Sequence, residues 1–337
     1  MQLFPILRHA TLLQKRLGVV TQMRKANTAR TLDSQTLSKF DFIGLKLSHQ
    51  TPADQAEGFV NSFKEKIAGA PTKLVYFDGD DDVNVQWPGV LRTVDLYVKK
   101  QVFADNKSYL SHYIGKSNLT DYVAKQFGVS FAENIIPSSG GLDATEVRKI
   151  YAGWNLALDE PIIELFKRVK SVPFDAKDYD IVCRASVRTN NWLYHLRGPV
   201  LAHIDALSKR FCVLAPQDRV ARRQYWGEIL RSKICVSPFG FGEVCWRDFE
   251  AIMCGALLIK PDMSHLKTLP DLFVPGVTYV PVRWDYADLE EKCEYYLQND
   301  AERMKIVMRA RDLLISCLKP EWFLNRLEDL LANVGLR

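Results

Sequence analysis

The sequence predicts an α/β protein in which two domains each carry a parallel β-sheet, and three observations favour this fold class. Apolar strand candidates alternate with helical stretches along most of the chain. This order gives parallel sheets with ligand loops at the carboxyl ends of the strands. The length of 337 residues is enough for two domains that each bury a core. Residues 233–262 contain a complete strand–loop–helix–strand unit with two spaced glycines.

The second half of the chain has the more regular pattern, and we place a doubly wound domain at residues 173–320. The segment 321–337 is predicted to be a last helix that packs back on the first domain. Strands are predicted at 179–182, 211–214, 234–236, 256–259 and 277–280, and helices at 194–210, 222–232, 244–254, 286–299, 301–317 and 321–334.

The first half is assigned to one less regular α/β domain, residues 1–172. The pattern weakens between residues 106 and 173, where tyrosines and phenylalanines are scattered through a polar stretch, and Pro137–Gly141 is predicted to be a loop. Strands are predicted at 40–47, 73–77 and 94–98, and helices at 53–67 and 160–169.

Composition excludes several classes of protein. The chain is 47% hydrophobic and 25% charged, as is usual for globular proteins. Its net charge of +5 suits anionic ligands but is too small to indicate nucleic-acid binding. No apolar run reaches the roughly 18 residues that a membrane-spanning helix needs. The 7 cysteines lie in the second half without a CxxC pair, which predicts buried thiols and a cytoplasmic location.

The first 32 residues carry basic but no acidic side chains, and their first half has amphipathic spacing. Such a segment can contact an anionic membrane surface peripherally. The simpler interpretation, which we favour, is a surface helix packed on the first domain.

The stretch 233–262 has the chemistry of a nucleotide-sugar site. Gly240 and Gly242 follow a strand and precede a helix, so backbone N–H groups can approach a phosphate there. Arg247 and Glu250 lie one turn apart on that helix, where a cation would suit a diphosphate and a carboxylate would suit ribose hydroxyls. The alternative is an ordinary exposed ion pair between these two side chains.

The run Ser237–Glu250, SPFGFGEVCWRDFE, with the Gly255–Asp262 segment after it, resembles the nucleotide-sugar motif of GT-B glycosyltransferases. It is most similar to the exostosin-like and bacterial family 1 enzymes, and the resemblance covers roughly residues 179–320. It implies a GT-B fold, with two Rossmann-like domains facing a central cleft. One position departs from the pattern of retaining enzymes. Gly242 stands eight residues before Glu250, where those enzymes have a second glutamate.

The resemblance also implies roles for individual residues. Glu250 would bind the donor ribose, and Arg247 with the Ser237–Gly242 loop, including Phe239 and Gly240, would hold the diphosphate. Glu243 would lie near the donor sugar. Arg184, or Arg188, follows the first strand of the second domain and could neutralise the leaving diphosphate in place of a metal ion.

The acidic run Asp78–Asp82, DGDDD, follows an apolar strand and leaves three interpretations open. Asp78 or Asp80 could be the general base that deprotonates an acceptor hydroxyl, which is the role we favour. The run could instead hold a divalent cation, as in DxD glycosyltransferases, or be a solvated acidic turn. His49 is a further candidate base.

The sequence therefore predicts a hexosyl- or pentosyltransferase that moves a sugar from a UDP- or GDP-sugar to a glycan or glycoconjugate hydroxyl. We expect an inverting reaction with no essential metal and no other cofactor. The alternatives are a metal-dependent DxD glycosyltransferase, a non-catalytic nucleotide- or glycan-binding protein, and a nucleotide-sugar epimerase. No nucleic-acid partner is expected.

Overall fold

The computed structural model describes residues 2–131, 141–187 and 192–336 and contains two parallel sheets that belong to successive parts of the chain. The first sheet has the order β1-β2-β3-β5 and the second has the order β11-β9-β8-β6-β7. All neighbouring strands within these two sheets run parallel. Their carboxyl ends are therefore the natural positions for ligand loops.

The N-terminal domain is built on the first sheet, whose central strands are buried on both faces. In β2 the last four residues are buried, which explains why the sequence there is a continuous apolar run. The strands are β1 Phe42–Leu45, β2 Lys73–Phe77, β3 Leu96–Lys99, β4 Gln101–Phe103 and β5 Ile150–Ala152; the helices are α1 Phe4–Arg8, α2 Ala10–Leu17, α3 Ala26–Ala29, α4 Ser34–Leu37, α5 Ala53–Lys66, α6 Pro88–Thr93, α7 Asn118–Phe127, α8 Ala144–Val147 and α9 Glu160–Arg168.

The C-terminal domain is built on the second sheet, with helices on both faces. Helix α12 buries six consecutive residues, Asp248–Met253, because it packs on α9, α11 and α14 as well as on β9. The strands are β6 Tyr179–Val182, β7 Val213–Leu214, β8 Ser232–Val236, β9 Leu257–Pro261, β10 Leu266–Thr268 and β11 Val280–Val282; the helices are α10 Leu193–Ser208, α11 Arg222–Leu230, α12 Trp246–Met253, α13 Leu289–Gln298, α14 Asp300–Cys317 and α15 Pro320–Asn333.

The two domains are joined by contacts besides the chain connection. Strand β4 pairs antiparallel with β10, so one small sheet is shared between the domains. Helix α15 lies against the N-terminal domain, where the Phe323 ring contacts Trp154 edge-on with 4.9 Å between ring centroids. Arg326 donates to the Tyr151 hydroxyl at 2.9 Å. These contacts fix the relative orientation of the two domains, and with it how the carboxyl ends of the two parallel sheets face each other.

The N-terminal basic segment packs on the protein. Leu13 in α2 is fully buried, and the Trp154 indole donates to the backbone carbonyl of Gln2 at 2.8 Å. This is the arrangement that the surface-helix interpretation describes. In the part of the chain that the structure covers, no helix combines the length and apolar character needed to cross a membrane.

The predicted strands and long helices lie where the sequence places them, with ends shifted by a few residues, but strands β4, β5 and β10 were not predicted. Helix α7 was missed, because its apolar side chains are spaced by polar ones and a capping Ser117 is its only clear start. The predicted loop Pro137–Gly141 lies outside the described residues except for Gly141. The 7 cysteines are free thiols, and they are buried except Cys212, which is exposed, and Cys245, which is half-buried.

Candidate active site

The glycine loop after β8 is held by a buried network that ties it to α12 and β9. Ser237 donates from its hydroxyl to Asp248 at 2.5 Å, and Asp248 also accepts from the Cys245 backbone N–H at 3.0 Å. Lys260 forms an ion pair of 2.7 Å with Asp248, and both side chains are fully buried. Lys260 also donates to the Glu243 carbonyl at 2.6 Å. The loop is therefore rigid before any ligand arrives.

Because Asp248 fills the N-terminus of α12, this helix end is already occupied by a carboxylate of the protein. A phosphate at this loop would depend on side-chain cations instead. Two arginines meet that requirement, Arg247 and Arg197.

Arg247 and Arg197 hold the loops that follow β6 and β8. The Arg247 guanidinium donates to Ser237 Oγ at 2.9 Å, the Arg184 carbonyl at 2.8 Å and the Pro238 carbonyl at 2.6 Å. Arg197 donates to the Phe239 carbonyl at 2.8 Å and to the Ser186 carbonyl at 3.0 Å.

Neither arginine forms an ion pair with a carboxylate in the described ranges. Burial lowers the pKa of Arg197, and the neighbouring positive charge of Arg247 lowers it further. Although burial alone would lower the pKa of Arg247, its interactions with Cys245, Tyr225, Cys235 and Asp248 raise it. Arg197 is partly withdrawn from water and contacts no carboxylate in the described residues, so a bound anion would stabilise its charge. The ends of β6 and β8 therefore form a candidate diphosphate site.

Glu250 lies on the same helix as Arg247 but makes different contacts. Its side chain is 5% exposed, and Oε1 accepts from the Trp226 indole N–H at 2.8 Å. Burial raises the pKa of Glu250. In the described structure Arg247 and Glu250 do not form the exposed ion pair that the sequence left open. The Trp226 contact orients the carboxylate and leaves Oε2 for a ligand.

Opposite the glycine loop lies the acidic loop, Asp78–Asp82, at the carboxyl end of β2. The carboxylates of its first three aspartates each contact a lysine. Asp78 accepts from Lys99 at 2.6 Å, Asp80 pairs with Lys116, and Asp81 accepts from Lys100 at 2.6 Å. The negative charge that a divalent cation would need is thus already neutralised by ammonium groups. No metal-binding cluster of His, Cys, Asp or Glu occurs in the described ranges.

Asp82 and Glu243 bring the two loops together across the cleft. The backbone carbonyl of Asp81 lies so close to Gly242 that a Cβ there would be 1.7 Å from the oxygen. Both Asp82 and Glu243 are buried, at 3% and 0% exposure. Glu243 accepts from Asn118 of the N-terminal domain at 3.1 Å, while its Oε2 has no hydrogen-bond partner in the described structure.

Burial raises the pKa of Asp82 to about 7; Lys116 opposes this rise, whereas Glu243 and Asp80 add to it. The site therefore contains an acidic group whose protonation changes near neutral pH. It lies on the acidic loop and next to the loop of the other domain.

A family model described as "Glycosyl transferase-like" matches residues 184–329, the region that contains the two arginines and Glu250. This region of the chain is therefore similar to glycosyl transferase-like proteins. No curated protein matches the sequence.

Solved glycosyltransferase structures resemble the whole chain at low sequence identity. A trehalose-6-phosphate synthase studied for glycosyl transfer with retention is 11% identical, with a TM-score of 0.50, covering 98% of this chain and 83% of that one. HepE from Anabaena, in complex with UDP and glucose, is 10% identical, with a TM-score of 0.43 and coverages of 96% and 88%. A glycosyltransferase from Rickettsia africae is 12% identical, with a TM-score of 0.47 and coverages of 96% and 87%. The chain has the GT-B fold.

The structure brings most of the predicted donor residues together. Ser237, Phe239, Gly240, Gly242, Glu243, Arg247 and Glu250 lie on one loop and the helix that follows it. Arg188 is among the residues that the structure does not describe.

The geometry does not suit two of the predicted roles. The Arg184 guanidinium is bound to Glu228 at 2.8 Å and to the Asp218 carbonyl at 2.7 Å, so its charge is already neutralised. Its backbone carbonyl, which accepts from Arg247, is the part that reaches the donor site. Asp78 is fully buried. Although burial alone would raise the pKa of Asp78, Lys99 and hydrogen bonds hold it below its usual value, which weakens it as a base.

Several residues of the site were missed from the sequence. Arg197 lies on a helix 50 residues before Arg247, and no local pattern marks it. Lys260 and Trp226 looked like ordinary strand and helix residues. Asp248 stands inside the RDFE motif, and its position three residues after Cys245 was a capping signature that could have been recognised.

Proposed function

We propose that this protein transfers a sugar from a UDP- or GDP-sugar to a hydroxyl of a glycan or glycoconjugate acceptor. The observation that carries the proposal is the pair Arg247 and Arg197, which hold the loops after β6 and β8 and form no ion pair with a carboxylate in the described residues. A diphosphate supplies the missing negative charge, and Glu250 lies one helical turn from Arg247 to accept a ribose hydroxyl. The family match of this region favours the same chemistry.

The two arginines would also stabilise the reaction itself. As the bond to the sugar breaks, negative charge accumulates on the departing nucleotide diphosphate. Fixed guanidinium groups stabilise that charge without reorganising, and no divalent cation is needed for this step. We propose a metal-independent reaction for this reason, and because lysines already neutralise the acidic loop.

An acceptor hydroxyl needs a base on the opposite side of the cleft. Of the two aspartates suggested by the sequence, both contact a lysine, but Asp80 keeps some solvent access, with 11% of its side chain exposed, whereas Asp78 has none. We assign the base to Asp80 and propose inversion, since the retaining pattern would place a glutamate where Gly242 stands.

Donor binding and transfer can be tested separately with Arg247→Met and Glu250→Gln. Each variant removes a donor contact at nearly constant volume, so we expect at least a ten-fold loss of UDP- or GDP-sugar affinity by calorimetry. Transfer should fall by about 100-fold or more, because the arginine acts most strongly on the developing charge.

Arg231→Met is the matched control for these variants. Arg231 lies just before β8, at the opposite end of the strand from the glycine loop, and its partner Asp178 is exposed. It should bind donor and turn over like the wild type. Wild-type-like donor binding by a folded Arg247→Met and Glu250→Gln would overturn the site.

A further inference from the structure

Two adjoining cavities in the N-terminal domain lie beside the carboxyl end of β1, away from the donor site. The first has a volume of about 190 Å³ and is lined largely by apolar side chains, including the rings of Phe40, Phe42, Phe59 and Phe63. The second has a volume of about 590 Å³ and is more polar, with Asn27, Ser48, Thr51 and Gln55 in its wall. Lys46 lines both cavities, so they meet at its side chain.

The charged side chains that line the two cavities are all basic. Arg24 and Lys46 line the apolar cavity, and Arg30 and Lys46 line the polar one; neither wall contains an Asp or Glu. The second cavity also offers hydroxyl and amide donors. A wall of this kind selects an anion.

Of the three basic residues in the cavity walls, Lys46 would gain most from contact with an anion. Its ammonium group forms no hydrogen bond or close ion pair with the residues described. Burial lowers the pKa of Lys46, and the more distant Asp78 and Asp80 offset this only in part. An anion placed in the polar cavity would supply the direct contact that this group lacks.

Lys46 also connects the cavities to the proposed chemistry. Its Nζ packs directly against Gly79 of the acidic loop, where a Cβ would be only 1.8 Å away. A molecule bound at Lys46 therefore lies next to the loop that carries the proposed base, on the side of the cleft opposite the donor.

We propose that the paired cavities bind the acceptor of the transfer reaction and that this acceptor is an amphipathic phosphate ester with a free hydroxyl elsewhere on the molecule. The hydroxyl oxygen would bond to the sugar carbon as the bond from that carbon to the nucleotide diphosphate breaks, and its proton would pass to Asp80. This inference rests on the proposed function, because it takes the bound molecule to be the acceptor of the transfer reaction. A cavity of roughly 150 Å³ can hold a benzene ring, so the apolar chamber fits a phenyl-sized group. The two basic side chains of the polar chamber, Arg30 and Lys46, match the two charges of a phosphate dianion, and Arg24 lies in the wall of the adjoining chamber.

Phenyl phosphate is a suitable probe, and calorimetry on the full chain without donor measures its binding directly. We expect phenyl phosphate to bind at least ten-fold tighter than either inorganic phosphate or phenol, because only the ester fills both chambers. Equal affinity for phenyl phosphate and inorganic phosphate would overturn the proposal.

Two variants test the chambers independently. Lys46→Met removes the charge, and Ala29→Phe fills the apolar cavity, whose wall includes Ala29. Each should weaken phenyl phosphate binding by ten-fold or more. The control Lys39→Met changes an exposed lysine outside both walls and should bind like the wild type. If Lys46→Met does not fold, Ala29→Phe still tests the site. Unchanged binding of phenyl phosphate by a folded variant would refute it.

The source of the phosphate ester, lipid or soluble, is distinguished with vesicles. Co-sedimentation with phosphatidic acid in phosphatidylcholine, but not with phosphatidylcholine alone, and its loss in Lys46→Met, would assign a lipid acceptor. Binding of phenyl phosphate without binding to these vesicles would assign a soluble one. Binding of UDP- and GDP-sugars is measured in parallel. Its absence alongside phenyl phosphate binding would reject the transferase proposal and leave the phosphate site standing.

Discussion

At the scale of single residues, the acidic loop shows how environment separates neighbouring aspartates. Asp78 is held ionised by Lys99, whereas Asp82 is buried and faces the carboxylates of Glu243 and Asp80 as well as Lys116. The same side-chain chemistry thus gives opposite pKa shifts four residues apart. Only the fold decides which carboxylate keeps its proton near neutral pH.

The raised pKa of Asp82 has a consequence for stability. The folded state holds the proton up to about pH 7, while the unfolded chain releases it near 3.8, the ordinary pKa of an aspartate. Between these values the folded state binds more protons, so stability falls as the pH rises. At roughly 1.4 kcal/mol for each pKa unit, the loss is on the order of 4 kcal/mol across the window.

Asp82→Asn should remove this slope. The asparagine oxygen can still accept from the Asn84 N–H, a bond of 2.8 Å in the wild type. We expect the variant to gain stability relative to the wild type as the pH rises from 4 to 7.5, measured by urea unfolding. Asp175→Asn, at an exposed position, is the control and should follow the wild-type curve. Parallel curves for Asp82→Asn and wild type would contradict the assignment.

At the scale of elements, the glycine loop and the acidic loop pack closely against each other. Gly242 allows the two backbones to approach because it has no side chain, and its neighbour Glu243 reaches Asn118 at the start of α7. The sequence predicts the strand–loop–helix unit, but it does not predict that the acidic loop packs against it.

Gly242→Ala should separate these loops. The new methyl group would lie 1.7 Å from the Asp81 carbonyl, and backbone on both sides cannot rotate away as a flexible side chain could. We expect transfer to fall by at least ten-fold with a lower unfolding temperature. Gly227→Ala in α11 is the control, since nothing lies within 4 Å of a Cβ there. Alanine in that helix should leave transfer unchanged and add up to about 1 kcal/mol of stability. Full activity in Gly242→Ala would show that the loops need not approach.

The parts of the fold that the sequence predicts are those whose cause is local. Strands β2, β6, β8 and β9 are short apolar runs bounded by turn residues, because parallel strands covered on both faces need no polar side chains. Arg247 and Glu250 were found for a similar reason, since their spacing and the preceding glycines form one short pattern.

Other features depend on residues that are distant in sequence and carry no local pattern. Lys116 pairs with Asp80 across 36 positions, and β4 pairs with β10 although more than 160 residues separate them. These contacts decide that the acidic loop is neutralised by lysines and that the two domains share a small sheet. Sequence spacing could suggest a metal site at the acidic loop, but only the tertiary structure shows the ammonium groups against it.

At the scale of the whole molecule, one core continues from domain to domain. The largest apolar cluster contains Phe77 and Trp154 from the N-terminal domain together with Phe249 and Phe323 from the C-terminal part of the chain. Helix α15 is the element that crosses between them. Packing between the domains therefore helps to set how the glycine loop and the acidic loop face each other.

Phe323→Ala tests this coupling. Phe323 is 1% exposed and contacts Trp154 and His9, so its truncation opens a cavity at the domain junction. A buried Phe→Ala change costs about 3–5 kcal/mol. Because the lost contacts join the domains, we expect calorimetric unfolding to split into two transitions, with transfer weakened although every donor residue is intact. Tyr295→Ala, an aromatic residue that is 44% exposed on α13, should keep the wild-type profile. A single transition that merely shifts downward would mean that the remaining contacts, among them the β4–β10 pairing and the Arg326–Tyr151 hydrogen bond, are enough to hold the domains together.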